Sequence, residues 1–87
     1  MKVYIITYEW DNKATGREFE ILATFSRYET AKKYFNEFCE KTKKSFLENR
    51  CLEECGIEST ETSFLIDWNL FEEWEQIDIN AQNVCED

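Results

Sequence analysis

From Lys2 to Trp10 the chain alternates Val3, Ile5 and Thr7 with Tyr4, Ile6 and Tyr8. Two-residue periodicity in β-branched and aromatic residues predicts a strand, here with apolar residues on both faces. Asp11 to Gly16 is polar, and Asn12 and Gly16 suit positive φ, so this stretch predicts a hairpin loop returning the chain antiparallel. Arg17 to Phe25 alternates again. Phe19, Ile21, Ala23 and Phe25 form the face expected to meet the core, with Glu18, Glu20, Leu22 and Thr24 opposite.

Ser26-Arg27-Tyr28-Glu29 has the pattern of a capping box, in which the Ser hydroxyl accepts from the Glu29 amide and the Glu side chain reaches back. The following helix carries Ala31, Tyr34, Phe35, Phe38, Thr42 and Phe46 at spacings of three and four, with Lys32, Lys33, Glu37 and Lys41 outside. The pattern runs on through Leu47, Cys51, Leu52 and Cys55 to Gly56 as C-terminal cap, about 25 helical residues, with Asn49-Arg50 as a candidate break. After the polar stretch Glu58 to Thr62, Ser63 to Trp68 reads as a third strand. Asn69 to Trp74 fits a turn or a short helix, Glu75 to Ile79 fits an edge strand through Ile77 and Ile79, and the tail from Asn80 is expected to fray.

The expected fold is therefore α+β: a small antiparallel sheet of about three to four strands with one long helix packed on one face, order ββαβ(β), forming one domain across residues 1–87. With Val3 and Ile5 toward the helix, Tyr4, Ile6, Tyr8 and Trp10 lie on the far side, which a single helix cannot cover. A homodimer formed sheet to sheet, a partner protein, or the C-terminal segment with Trp68, Phe71 and Trp74 would cover it.

Composition sharpens this picture in three ways. Fourteen of the 87 residues are aromatic, more ring surface than so small an interior needs. Histidine is absent, which removes the commonest general base and metal ligand. Charge divides along the chain: residues 1–44 hold nine Lys/Arg and seven Asp/Glu, whereas residues 45–87 hold only Arg50 against twelve Asp/Glu, or +2 against −11. The acidic half repels nucleic acid and anionic membrane and attracts basic surfaces.

No stretch is apolar enough to span a bilayer and the start lacks a signal core, so a cytoplasmic protein with reduced thiols is expected. On one helix Cys39 and Cys51 stand about 18 Å apart, too far to share a metal or a disulfide. Cys51, Cys55 and Cys85 without histidine make a poor zinc site, so no metal or other cofactor is expected. Paired carboxylates would need an enclosing cleft that so small a fold seldom builds, which argues against glycosidase-like chemistry and points to a non-enzymatic protein, a small enzyme requiring an enclosed carboxylate or thiol pocket. The carboxylates read better as a partner-binding surface: Glu53, Glu54, Glu58, Glu61, Asp67, Glu72, Glu73, Glu75 and Asp78, with Trp74 as an aromatic anchor. Such an array suits imitation of a nucleic-acid backbone.

Lys2-Val3-Tyr4-Ile5-Ile6-Thr7, Ile21-Leu22-Ala23-Thr24-Phe25-Ser26 and Glu29-Thr30-Ala31-Lys32-Lys33-Tyr34-Phe35 together resemble small uncharacterised proteins of phages and mobile elements of low-GC bacteria. The resemblance covers the first 40 or so residues and carries no site residues with it. It implies a mobile-element setting, in which small acidic proteins similar to anti-CRISPR and anti-restriction inhibitors occur. The expected partner is then a basic, nucleic-acid-binding host enzyme; the alternative is a structural or regulatory homodimer joined through Tyr4, Ile6, Tyr8 and Trp10.

Overall fold

A computed structural model describes residues 1–12, 16–68 and 72–84. Five strands and one long helix follow in the order β1 (Lys2–Asn12), β2 (Gly16–Phe25), α1 (Tyr28–Leu47), a short 3-10 helix (Leu52–Glu54), β3 (Cys55–Ser59), β4 (Ser63–Trp68) and β5 (Glu73–Asn83). The strands form one sheet, ordered β2-β1-β5-β4-β3, with every neighbouring pair antiparallel. The α+β class, the β1–β2 hairpin with Gly16 at φ 79°, and the β4 boundaries agree with the sequence pattern.

Among the described residues the strand count is five, not three to four, because β3 is an additional strand, and the position of β5 also differs from the expected one. Cys55 to Ser59 reads as helix end and polar loop because Ile57 alone is strongly apolar, yet it pairs with β4 as an edge strand. The last strand is not at the edge: β5 lies at the centre between β1 and β4, and Asn80 to Asn83, expected to fray, pair with β1. Polar alternation through Gln76, Asp78, Asn80 and Gln82 is what a central strand shows when one sheet face meets solvent. Glu73 and Trp74 belong to β5, whereas Asn69 to Phe71 and Cys85 lie outside the described residues.

Helix α1 ends at Leu47, so the expected continuation to Gly56 does not form. Arg50 closes the end: its Nη1 donates to the Phe46 carbonyl at 2.9 Å and its guanidinium lies 4.1 Å from the Phe46 ring centre. A cation here satisfies an orphan carbonyl and complements the helix dipole. The capping box does not form either. The N-cap residue is Arg27, in extended backbone (φ −117°, ψ 133°), and no side chain caps the first turn. Gly56 sits in β3 opposite Asp67; its N–H donates to Asp67 Oδ1 at 3.0 Å, and a Cβ there would lie 2.8 Å from that oxygen.

The core lies between α1 and one face of the sheet. Ala31, Phe35, Cys39, Thr42 and Phe46 are the buried helical residues, and they meet Ile6, Phe64, Ile66, Ile77 and Ile79. Ile6, Ile66 and Ile77 are wholly enclosed, each stabilising the fold by about 1.5–3 kcal/mol relative to exposure. The faces of β1 are thus the reverse of those expected: Tyr4, Ile6 and Tyr8 lie toward the helix, and Val3 and Ile5 do not. Tyr8 packs edge-on against Phe38 and stacks on Trp10, and Tyr4 meets Tyr28. Lys32, expected in solvent, lies over the Phe35 ring and donates to the Glu61 carbonyl.

An irregularity in the β1–β2 ladder divides β2. Ile6 pairs with Ala23 but Thr7 with Ile21, leaving Leu22 as the extra residue of a bulge. Ala23 and Phe25 therefore share the helix side with Ile6 and Tyr4, while Phe19 and Ile21, expected in the core, turn outward and are 62% and 58% exposed. Among the described residues no helix is long and apolar enough to cross a membrane.

Candidate functional site: the open face of the sheet

Directly opposed residues of an antiparallel pair share a face, so the ladders define the side of the sheet away from α1. Across β3-β4-β5-β1-β2, one row is Glu58, Leu65, Gln76, Glu9 and Phe19. The next is Ser63, Asp78, Thr7 and Ile21, and on the other side runs Gly56, Asp67, Trp74, Asp11 and Arg17. No described element covers this face. The Cα envelope measures 49 × 24 × 16 Å, and its thin dimension holds one sheet and one helix only.

The face combines carboxylates with apolar surface. Glu9, Asp11, Glu58, Asp67 and Asp78 lie on it, and Arg17 is its one cation among the described residues. Arg17 is already engaged: it pairs with Glu9 and lies 5.7 Å from the Trp74 ring centre. A groove of about 400 Å³ crosses the face, lined by residues that include Ile5, Thr7, Phe19, Ile21, Asp78 and Asn80. Hydrogen bonds order its floor, Asn80 Nδ2 to Thr7 Oγ1 at 3.1 Å and Gln76 Nε2 to Asp78 Oδ2 at 3.1 Å.

The carboxylates expected to act together are spread over several surfaces. Glu58, Asp67 and Asp78, with Trp74, belong to the open face. Glu53 and Glu54 are on the 3-10 helix, where Glu54 Oε2 accepts from Trp68 Nε1 at 3.2 Å, and Glu61 is exposed in the β3–β4 turn. Glu72 is in the turn before β5, its N–H bonded to the Trp68 carbonyl at 3.1 Å. Glu73 and Glu75 lie on the helix side: Glu73 pairs with Arg50 and Glu75 accepts from the Tyr8 hydroxyl. Tyr4, Ile6, Tyr8 and Trp10, expected to offer an exposed self-association surface, lie beneath or beside the helix, with Ile6 fully buried.

Burial raises the Tyr8 pKa, and its hydrogen bond to Glu75 adds to the rise. Burial also raises Glu75, against the opposing pull of the Tyr8 bond and Arg50. Glu75 lines a cleft of about 200 Å³ together with Arg50, Trp10 and Glu73. The Cys39 thiol is pushed up to about 12 by burial, which keeps it protonated and unreactive. No group of three or more Cys, Asp or Glu side chains among the described residues is arranged to hold a metal ion.

Sequence reasoning missed Glu9, Asp11, Phe19 and Ile21 as members of the open face. Glu9 and Asp11 continue the odd-numbered side of β1, and that signal was present in the pattern. The outward turn of Phe19 and Ile21 depends on the bulge, for which the pattern holds no sign. Comparison with known proteins gives no match: no family model fits the chain, and neither a curated protein nor a solved structure matches it.

Proposed function

We propose that this chain is a non-enzymatic, acidic binding protein that docks its open sheet face on the basic, nucleic-acid-binding surface of a host enzyme and blocks it. The supporting observation is the composition of that face among the described residues, five carboxylates against the single, already paired Arg17, interleaved with exposed Phe19 and Ile21. Carboxylates give attraction and register toward a basic groove, while the rings and aliphatic groups give contact area that excludes water. A groove built to neutralise phosphates releases the same counterions to a carboxylate surface, so the inhibitor competes directly with nucleic acid.

The test is a pull-down from the lysate of the cell that carries the protein, using wild-type bait and Asp67→Lys/Asp78→Lys. The expected result is a basic nucleic-acid enzyme held by the wild type at low salt, displaced by added DNA or RNA, and lost by the variant. Retention indifferent to added nucleic acid and to the substitutions would overturn the reading.

A further inference from the structure

The sheet has two rims, and they are finished differently. β3 is five residues long and is preceded directly by the 3-10 helix, whereas β2 runs ten residues with Gly16 to Ile21 exposed throughout. Short edges, charged side chains (lysine above all), proline and bulges are the usual protections against strand pairing; the charges of the exposed stretch, Arg17, Glu18 and Glu20, are mainly acidic and so deter an acidic strand but not a basic one. β2 has no lysine or proline, and its bulge at Leu22 comes only after the exposed stretch. Among the described residues no strand lies beyond it, so its outward amides and carbonyls form a ready template.

The side chains on this rim specify what can pair there. Phe19 and Ile21 point to the open face, and Glu18 and Glu20, opposite Trp10 and Tyr8, point to the other, about 6.8 Å apart. A second copy of the chain fits poorly in the registers that join the apolar residues: setting Ile21 against Ile21 runs the pairing into the bulge at Leu22, beyond which the faces of the strand no longer match. Setting Phe19 against Phe19 of the copy sets Glu18 against Glu20, and setting Phe19 against Ile21 sets Glu20 against Glu20; opposed like charges destabilise a strand pair. An incoming strand with lysine or arginine at alternate positions and apolar residues between them matches both faces.

We infer that the exposed rim of β2, Gly16–Ile21, receives an extended segment of the basic partner by strand addition, Glu18 and Glu20 selecting its cations and Phe19 and Ile21 its apolar residues. The inference rests on the reading of the chain as an acidic binding protein, and it adds the partner's local structure and chemistry. Main-chain hydrogen bonds supply affinity in this mode and alternate side chains supply specificity.

Hydrogen exchange on the full chain tests it, with two peptides of β2's length as probes, one alternating lysine with valine and one alternating glutamate with valine. The lysine peptide is expected to slow exchange of the outward amides of Gly16–Ile21 at low salt, and the glutamate peptide is not. Glu18→Lys/Glu20→Lys should bind the lysine peptide about tenfold more weakly and take up the glutamate peptide instead, while core amides such as those of Ile6 and Ile77 report that its fold is intact. Protection confined to β3 or the open face, or equal protection by both peptides, overturns the inference. So does protection of β2 that grows with protein concentration without peptide, which would make a second copy the occupant. If only Asp67→Lys/Asp78→Lys abolishes binding, the edge fails and the acidic-face reading stands; if the lysate yields no basic partner, that reading fails independently.

Discussion

Tyr8 and Glu75 show how one residue's environment sets a measurable property of the protein. Glu75 is held by the Tyr8 hydroxyl on the helix side of the sheet, where burial outweighs the hydrogen bond and raises its pKa above the ordinary 4.5. In the pH window just above that value the folded state binds more protons than the unfolded state, so this group's contribution to stability falls as pH rises through it. Glu75→Gln keeps an oxygen for Tyr8 and removes the titration. The variant's melting temperature should therefore gain on that of the wild type between about pH 4 and about pH 7; a constant gap would show that Glu75 titrates alike in both states. Arg50 illustrates the same scale differently. The only cation in an otherwise acidic half is used internally, against Phe46 and Glu73, and does nothing to neutralise the outer surface.

At the scale of elements, α1 begins without a side-chain cap although a serine stands beside its start. Arg27, not Ser26, occupies the N-cap position, and its extended backbone is the conformation from which a capping side chain would work. Arg27→Asp should stabilise the protein by about 0.5–1 kcal/mol through a new cap bond and the helix dipole. Ser26→Ala should change stability by less than about 0.5 kcal/mol, since its hydroxyl caps nothing. Urea midpoints of both variants check the assignment, and a substantial loss in Ser26→Ala would restore the capping box. The bulge at Leu22 is the other decisive local feature, because one extra residue moves Phe19 and Ile21 from the core side to the open side of the sheet.

For the whole molecule, the open face and the helix define two unlike sides. Among the described residues the sheet side carries five carboxylates and one paired cation, whereas on the helix Lys33, Lys41 and Lys44 are exposed alongside Glu29, Glu37 and Glu40. On the proposed reading, a net charge of −9 distributed in this way would orient the protein toward a basic surface and speed the encounter. Raising monovalent salt from about 50 mM to about 500 mM should slow association with such a partner at least tenfold, because exposed charges are screened within a few ångström. Duplex DNA alone should show no gel shift with the protein even at the lower salt; a shift would mean that the helix lysines act independently of the rest of the charge.

The amino-acid pattern by itself determined the features that rest on local periodicity: the β1–β2 hairpin, the amphipathic helix from Tyr28, the strand Ser63–Trp68, and the acidic bias of the second half. Tertiary structure decided the rest. β3 has one strong apolar residue and becomes a strand only because β4 offers an edge, and β5 is central only because β1 lacks a second neighbour until the chain returns. Which face of β1 is buried could not be read from a strand apolar on both sides; packing under Phe35 and Phe46 selected Ile6, and the bulge fixed the consequence for β2. Carboxylates distant in sequence, Glu9 and Asp11 with Asp67 and Asp78, meet on one face because a central strand joins the two halves of the sheet. Local propensity acts over a few residues, whereas the composition of a sheet face depends on pairings between segments the sequence keeps far apart.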